Sequence, residues 1–593
     1  MNTLGIYTAF AVLGGYAMKR FAKKVVSLFL ILSFTITLLS SCAKKTEQEQ
    51  FNEIINDIFE EEATQDSLSL HYLLAHPENY GIKAKKTTLG NYSTNQMKKD
   101  LVDTENVLAK LEKLDTSQLD NESNITYRIL TNSLRNSLSR GNYLYLSDQL
   151  GPTTGLQAQL PILLAEYDLS SKKDIDEYLE LLLCVDDYFQ QICDYEIEKS
   201  KHGYFMVDEV ADSIISQCSD FINDPEHNFL IVYFNEKINN FENLSKEDKL
   251  VYEEKNRDAI LNSVIPAYEN LILTLNSLKG TATNKKGLCG FEGGKEYYEL
   301  IVQSTTGSSK SVKEMEKALK NALNSSFAML TSLSIQDPTL YDQYQTMTFP
   351  YEDPTEIMEY LFASMTNDFP TINSVNYNVK YVHESLQQHL SPAMYIVPPI
   401  DDCTENNIYI NNLPSYDMTR IFPTIAHEGY PGHLYQNVYF SQLNKHPIRS
   451  VLNVKGYDEG WATYVECYSY QLANINDNLA RFLQANMIAV HCLYSLTDIG
   501  IHYNGWTKEK TIQFWRNYVN SDEEAESIYY TILAEPGVYL PYSIGYLEII
   551  ELRNLAKEIQ GDEFTLKNFH EFLLDFGPAP FELIRENLVS KLK

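Results

Sequence analysis

The residues best suited to chemistry lie in one short segment, residues 427–433, with the sequence HEGYPGH. Imidazole nitrogens bind divalent transition metals, and a carboxylate beside such a ligand can act as a general base. In the most familiar zinc-binding helix, the second histidine follows the first by four residues, because one helical turn places both rings on one face. Here the fourth position is Pro431, and the second histidine comes two residues later. A metal site therefore requires a distorted backbone between His427 and His433.

The Pro431-Gly432 step supplies that distortion. On a regular helix, six residues rotate a side chain by about 600°, so the two imidazoles would face different ways. Proline cannot donate a backbone hydrogen bond and disfavours a helical conformation at Tyr430, while glycine adopts backbone angles that other residues avoid. We expect the step to loop out two residues and return His433 to the metal. The alternative is that the two histidines flank a helix end and bind nothing.

A third ligand is available at Glu459, 26 residues after His433 and at the start of a predicted helix. Zinc enzymes with two histidines and one glutamate take the carboxylate from a second helix and leave a fourth position for water. Glu466 lies two turns further along the same face, where it either orients a ligand imidazole or is a solvated acid. The sequence thus predicts one Zn²⁺ per chain, held by His427, His433 and Glu459, with Glu428 as the general base.

The elements that position these residues are predicted to be mainly helical. Apolar residues recur at helical spacing through an N-terminal region, residues 51–280, and a loop over 279–294 precedes the catalytic metal-binding region, residues 295–593. Short β-like segments between residues 372 and 414 predict a small sheet next to the active site. Residues 407–412 are the candidate edge for an extended peptide, unless they form an internal strand.

The start of the chain has the features of a bacterial lipoprotein signal peptide. Basic residues at 19–24 precede an apolar run at 25–39, which is short for a membrane span. The run ends in Leu-Ser-Ser before Cys42, so we expect removal of residues 1–41 and lipidation of Cys42; the alternative is an ordinary signal peptide. Met18 is an alternative start. Residues 42–50 would form a lipidated tether, which anchors the protein outside the cytoplasm, on the cell envelope.

Charge and cysteine content exclude several kinds of partner and site. The net charge of −32 becomes −36 once residues 1–41, with four basic residues and no acids, are removed. Nucleic acid is excluded as a partner because phosphate contacts need lysine and arginine. Membrane contact would come from the lipid alone. Beyond Cys42 the seven cysteines contain no CxxC pair, so neither a disulfide framework nor a cysteine zinc knuckle is expected. Buried free thiols are expected, with one or two disulfides outside the cell as the alternative.

Residues from about 295 to 590 resemble the bacterial family known as domain of unknown function 885, whose members resemble zinc peptidases. The matching segments are HEGYPGH with Gln436, EGWA at 459–462, TDIGIH at 497–502 with Trp506, and shorter matches at 536–537, 542, 545, 552–553 and 569–570. The resemblance implies that His427, His433 and Glu459 bind the metal and that Glu428 is the base. Two departures are Leu434, where the family often has histidine, and Val538, where it usually has glutamine.

Four other side chains are candidates for the site. Asp498 and His502 are spaced i, i+4 on a predicted helix, so Asp498 could steer an imidazole toward the substrate or the oxyanion. Tyr542 could donate to the oxyanion, and Arg553, three turns further on the same face, could pair with a substrate carboxylate. The alternatives are that Asp498 and His502 form a buried structural pair, that Tyr542 only packs between helices, and that Arg553 forms an internal salt bridge.

The sequence therefore predicts a zinc metallopeptidase that hydrolyses amide bonds of short peptides, of carboxypeptidase or oligopeptidase type, with helices around a deep cleft or channel. One alternative is a surface lipoprotein that captures peptides or nutrients without chemistry, which would not need a base at Glu428. Another is a structural metal protein, which would use four protein ligands rather than three. A non-peptide amide, or a cell-wall peptide with D-residues, would suit the same chemistry.

Overall fold

The computed structural model describes residues 45–83, 85–373, 375–384, 387 and 390–592. The predicted signal peptide and Cys42 lie outside the described residues. Among the helices that are described, none combines the length and hydrophobicity that a membrane span requires. The predicted fold, mainly helical with a small sheet, is confirmed.

The first part of the described chain is helical. Its helices are α1 Glu47–Ala63, α2 Ser67–Leu73, α3 Thr94–Leu111, α4 Asn121–Gly141, α5 Leu156–Ala165, α6 Lys172–Leu183, α7 Val185–Lys201, α8 Asp208–Phe221, α9 Phe229–Asn239, α10 Lys246–Ala259 and, after a π-helical turn at Ile260–Val264, α11 Ile265–Leu278.

The helix α1 begins inside the segment predicted to be a tether. The Thr46 hydroxyl accepts a hydrogen bond from the backbone N–H of Glu49, and the Glu49 carboxylate accepts one from the backbone N–H of Thr46. This reciprocal cap satisfies two of the four N–H groups that a helix start leaves without partners. The predicted tether over 42–50 is therefore helical from Glu47 onward.

The second part of the chain carries the sheet and the remaining helices. They are α12 Gly294–Thr306, α13 Val312–Gln336, α14 Leu340–Thr346, α15 Pro354–Ser364, β1 Asn376–Tyr381, β2 Ala393–Ile396, β3 Glu405–Ile410, α16 Phe422–Glu428, α17 His433–Gln442, α18 Ile448–Val451, α19 Lys455–Leu472, α20 Asp477–His502, α21 Lys508–Trp515, α22 Asp522–Ala534, α23 Leu540–Gln560, α24 Leu566–Phe576 and α25 Phe581–Leu592.

The sheet has the strand order β1-β3-β2, with β1 parallel and β2 antiparallel to β3. The strand β3 therefore lies in the centre, and both its edges are paired. The prediction that residues 407–412 offer an edge to a peptide is wrong, and the internal-strand alternative is correct. The edge strand beside the site is β2, because the backbone N–H of Tyr395 donates to the Glu428 carboxylate.

The hydrophobic core does not divide at the predicted boundary over 279–294. One buried cluster joins side chains of α1, α3 and α4 to side chains of α16, α19 and α24. A second cluster joins α5 to α11 with residues of the sheet, among them Met394 and Tyr409. The N-terminal helices therefore form part of the walls around the sheet and the helices that carry the motifs.

Two helices that carry site residues, α19 and α23, pack backbone against backbone. A Cβ atom at Gly460 would lie 2.4 Å from the carbonyl carbon of Gly545, and one at Gly545 would lie 2.0 Å from the carbonyl oxygen of Gly456. Because glycine lacks that atom, the helix axes can approach closely. This contact brings Glu459 on α19 near Tyr542 on α23.

Candidate metal centre

The HEGYPGH segment, residues 427–433, is divided between two short helices. The helix α16 ends at Glu428, the Tyr430–Pro431 bond is cis, and α17 begins at His433. The predicted break in the helix is confirmed, although the chain starts a new helix instead of looping out two residues of one.

Gly432 is required at this break for a reason that the sequence did not reveal. A Cβ atom there would lie 1.8 Å from the carbonyl oxygen of His427 and 2.4 Å from that of Ala426. Only glycine allows the chain to pass this close to the end of α16, and that approach places the two imidazoles together.

The side chains of His427, His433 and Glu459 converge. The Glu459 Oε2 atom lies 3.7 Å from Nε2 of His427 and 3.5 Å from Nε2 of His433. The three ligand atoms lie within 4.8 Å of one another, and the two imidazole rings are 4.9 Å apart at an interplanar angle of 80°. The structure therefore brings together all three predicted ligands.

These separations fit a shared cation better than direct hydrogen bonds. Both distances exceed the usual 2.7–3.2 Å of an N–H···O bond, whereas two atoms bound to one tetrahedral Zn²⁺ at about 2.0–2.1 Å are about 3.4 Å apart. Within the described chain, Glu459 Oε2 is buried and accepts no hydrogen bond. A buried carboxylate oxygen without a donor is costly, and a divalent cation would compensate it. The donor set therefore fits Zn²⁺.

Glu466 orients the first of these imidazoles. Its Oε2 atom lies 3.0 Å from Nδ1 of His427, and both side chains are buried. A proton on Nδ1 donates to this carboxylate and leaves the lone pair of Nε2 directed at the cluster, which is the tautomer that a metal needs. Burial disfavours the imidazolium, but Glu459 and Glu466 outweigh burial and raise the pKa of His427 above its ordinary value. The centre thus carries an excess of negative charge that attracts cations.

The predicted base, Glu428, is buried next to the first ligand. Its Oε2 atom accepts a hydrogen bond of 3.1 Å from the backbone N–H of Tyr395, on the edge strand β2. Burial raises the pKa of Glu428 well above the ordinary carboxyl value, and the His427 imidazole opposes that rise. The carboxyl is therefore held in a fixed position with a high affinity for a proton.

Tyr542 lies at the centre, and His491 accompanies it. The Tyr542 ring is 6.4 Å from the His427 ring on one side and 6.0 Å from the His491 ring on the other, nearly parallel to both. Burial raises the pKa of Tyr542 well above 10, and Glu459 and Glu428 raise it further. His491 belongs to none of the motifs singled out in the sequence.

His502 and Asp498 do not belong to the centre, so their predicted role is wrong. The backbone N–H of Leu288 donates to Nδ1 of His502, and Nε2 of His502 donates to the carbonyl of Ile532. The Asp498 carboxylate accepts from the Tyr298 hydroxyl and the Gly537 N–H. Eleven residues of helix separate His502 from His491, about 16 Å along the axis. Both side chains therefore have structural roles, but each bonds other groups instead of forming the predicted pair.

Arg553 is also placed away from the metal ligands. It donates to the Tyr464 hydroxyl at 3.4 Å and lies over the Tyr464 ring, while that hydroxyl bonds His570 Nε2 at 2.9 Å. Three helical turns separate Arg553 from Tyr542, which again corresponds to about 16 Å. Tyr542 and Arg553 do lie on one face of the helix, as predicted, but this separation along the axis keeps Arg553 away from the metal ligands. Arg553 stabilises the packing of α19, α23 and α24.

A cavity of about 190 Å³ opens on the ligands. His433 and Glu459 lie in its wall, with residues of β2 and the first turn of α19. A larger cavity of about 1150 Å³ adjoins it and shares the lining residues Tyr72, Glu166, Ile396 and Val397. Two of these shared residues come from the N-terminal region, where the sequence showed no motif.

The model of the family described as "Bacterial protein of unknown function (DUF885)" matches residues 77–588. A comparison with curated proteins finds no match.

Solved structures provide the remaining comparisons. A lipoprotein from Colwellia psychrerythraea superposes with a TM-score of 0.82 at 18% identity, over 92% of this chain and 99% of that chain. A lipoprotein of unknown function from Shewanella oneidensis gives 0.62 at 16% identity, over 92% and 100%. An oligoendopeptidase F from Bacillus anthracis gives 0.29 at 11% identity, over 83% and 95%, a score too low to establish a common fold. The first two likenesses establish the fold alone.

Proposed function

This chain belongs to the bacterial DUF885 family, and we propose that it is a zinc-dependent peptidase that hydrolyses short peptides. The observation that supports this most is the convergence of His427, His433 and Glu459, whose Oε2 atom lies 3.7 and 3.5 Å from the two Nε2 atoms, with a buried glutamate directly beside the first ligand. A structural site would have a fourth protein ligand, and three converge within the described residues.

The three ligands would hold one Zn²⁺. When bound, zinc acts as a Lewis acid that polarises the scissile carbonyl and lowers the pKa of water. Glu466 fixes the His427 ring through Nδ1, so that Nε2 keeps its lone pair for the ion. Gly432 and the α19–α23 contact hold the other two ligands in place.

Glu428 would accept the proton of the attacking water and deliver it to the leaving nitrogen. This role requires a carboxyl that takes up a proton readily, which burial provides. It also requires a fixed position, which the hydrogen bond from the Tyr395 N–H provides. A protein that only captures ligands would need neither property.

Tyr542 would donate a hydrogen bond to the oxyanion that forms on the scissile carbonyl. Its hydroxyl keeps its proton at neutral pH, because burial and the neighbouring carboxylates raise its pKa well above 10. A neutral phenol aimed at developing charge in a dry site is an effective oxyanion donor. The near-parallel rings of His427 and His491 fix its orientation.

The substrate would lie extended along the edge strand β2. Among the described residues, this strand pairs with β3 on one side only, and its residues Tyr395 and Ile396 line the cavity that holds His433 and Glu459. Backbone hydrogen bonds along such an edge suit peptides of many sequences. The small size of this cavity favours short peptides. The chain would work outside the cytoplasm, attached through a lipid on Cys42.

The test is metal-dependent cleavage of a mixed peptide library by the chain from residue 43 onward. We expect activity that a chelator removes and Zn²⁺ restores, and about one zinc per chain. We expect His433→Ala to lose both the metal and the activity, with product lengths distinguishing exo from endo cleavage. Full activity in the metal-free protein, or zinc retained at full affinity by His433→Ala, would refute the proposal.

A further inference from the structure

The cavity that opens on the metal ligands has a largely apolar wall. Apolar side chains reach it from four parts of the chain that are distant in sequence, namely α5, the strand β2 with the residues after it, α17 and α24. Among these side chains are Leu163, Ile396, Val397, Phe440 and Leu574. Water gains little from such a wall, so an apolar group that displaced it would bind favourably.

Val397 leaves part of this apolar wall uncovered. Its side chain is 39% exposed, and among the described residues it is the one large apolar side chain exposed to this degree that lines the cavity. Ile396, the last residue of β2, lies beside it in the same wall. An isolated exposed valine would need no explanation. This valine, however, continues an apolar surface that leads to two of the metal ligands, where a substrate would lie.

The volume of the cavity determines the size of the group that fits. The cavity holds about 190 Å³, whereas an apolar cavity of about 150 Å³ in another protein is large enough to bind benzene. The side chain of leucine or phenylalanine therefore fits. A sphere of this volume is about 7 Å across, the length of about two extended residues. Because His433 and Glu459 lie in the wall, a side chain in the cavity belongs to a residue next to the bond at the metal.

The charged groups in the wall disfavour charged substrate side chains. The wall carries three acids and one lysine, which are Glu166, Asp458, Glu459 and Lys455. An acidic side chain would therefore meet net negative charge. Glu166 already accepts hydrogen bonds from the hydroxyls of Tyr409, at 2.6 Å, and Tyr233, at 3.2 Å, and Glu459 is a metal ligand. An ammonium would lose its water against the apolar wall with little compensation from these two carboxylates.

We propose that this cavity binds the side chain of a large apolar residue, such as leucine or phenylalanine, directly beside the scissile bond. That residue determines where a peptide is cut. Peptides with glycine, glutamate or lysine at the same position are cleaved slowly. This inference rests on the proposed peptidase function and adds its substrate class.

The test uses alanine-based peptides that carry leucine, phenylalanine, alanine, glutamate or lysine at one position, together with the zinc-loaded protein. Mass spectrometry of the products locates the cleaved bond. We expect cleavage at a fixed position beside leucine or phenylalanine, with kcat/KM about 10- to 100-fold above that of the alanine peptide. The glutamate peptide should be the poorest substrate. Equal values for leucine and alanine, or a higher value for lysine than for leucine, would overturn the proposal.

A substitution at Val397 tests the wall itself. Val397→Asp places a carboxylate in the apolar surface, at a position exposed enough for the variant to fold. We expect the ratio of kcat/KM for the leucine peptide to that for the alanine peptide to fall by about fivefold or more. Val397→Leu should keep the ratio. Val251→Asp, the same change at a 50% exposed valine of α10, is the control and should match the wild type. An unchanged ratio in Val397→Asp would contradict the proposal.

The outcomes separate the two proposals. Metal-dependent cleavage by the wild type without preference among side chains overturns the apolar site and leaves the peptidase intact. If no peptide is cleaved, the peptidase proposal fails, and calorimetry with N-acetyl-leucinamide and N-acetyl-alaninamide tests the cavity by itself. We then expect the leucine compound to bind about tenfold more tightly, with the difference reduced in Val397→Asp. Equal binding of the two compounds would refute the site.

Discussion

Glu466 Oε2 lies 3.0 Å from Nδ1 of His427, and both side chains are buried. The pair makes the affinity of the centre for zinc depend on a residue that does not touch the metal. In Glu466→Gln the amide oxygen can still accept from Nδ1, but the negative charge is lost. We expect zinc affinity to fall by about 10- to 100-fold, measured by competition with a chromogenic chelator. Glu558→Gln, on an exposed position of α23, is the control, and equal affinities in the two variants would show that Glu466 has no such role.

The second prediction concerns Gly432. Alanine there would place Cβ 1.8 Å from the His427 carbonyl oxygen, so α16 and α17 would have to separate. We expect Gly432→Ala to lower the free energy of unfolding by about 2 kcal/mol or more and to weaken zinc binding. The comparison is Gly280→Ala, where φ is +81° and no atom lies within 4 Å of the new Cβ. In Gly280→Ala the free energy of unfolding should fall by only about 1–2 kcal/mol, and zinc binding should be unchanged. Normal zinc binding by Gly432→Ala would contradict the explanation.

The third prediction separates Tyr542 from His502. Removing an oxyanion donor typically lowers kcat by about 10²–10³. We expect Tyr542→Phe to lower kcat by this amount with KM nearly unchanged, in steady-state kinetics on a short peptide. His502→Asn should instead lower the melting temperature, because it loses hydrogen bonds to Leu288 and Ile532, and should leave kcat within a few-fold. The reverse pattern would restore His502 to the mechanism and remove Tyr542.

The fourth prediction is a pH dependence of stability that arises far from the metal. Burial, followed by the charges of Asp103 and Asp100, raises the pKa of Glu61 from 4.5 to about 7. Between these values the folded state keeps a proton that the unfolded state has released, so this contribution to stability is full below pH 4.5 and is lost as pH rises through 7. We expect a loss of roughly 1–3 kcal/mol between pH 5 and pH 8. Glu61→Gln should reduce the slope of unfolding free energy against pH, and an unchanged slope would contradict the assignment.

The ligand set and the fold class could be predicted from the sequence because each leaves a local pattern. His427, Glu428 and His433 share one segment, and Glu459 lies in the second turn of a helix that the sequence predicts. The break at Pro431 was predictable because proline removes a backbone donor. The sequence predicted that glycine is needed at 432, but it did not reveal the contact with the carbonyl oxygens of the preceding helix that also requires it. Such contacts become visible only once the helices are packed.

Other errors share one physical origin, namely that periodicity gives a direction but no distance. The helical pattern predicted the correct helix faces for His502 and Arg553. It did not show that each lies about 16 Å along its helix axis from the residue that is at the metal centre. The segment 407–412 was recognised as a strand, but its partners β1 and β2 determine that it is central. Cavity walls built from distant parts of the chain, such as Glu166 of the N-terminal region, leave no sequence signal at all.

The most direct test of the central claim is the hydrolysis of a short peptide by Glu428→Gln loaded with one equivalent of zinc. The substitution keeps the size of the side chain, leaves the three ligands in place and removes the proton acceptor. We predict that zinc content stays at one per chain while kcat falls by about a hundredfold or more. Cleavage at the wild-type rate by this zinc-loaded variant would contradict the account.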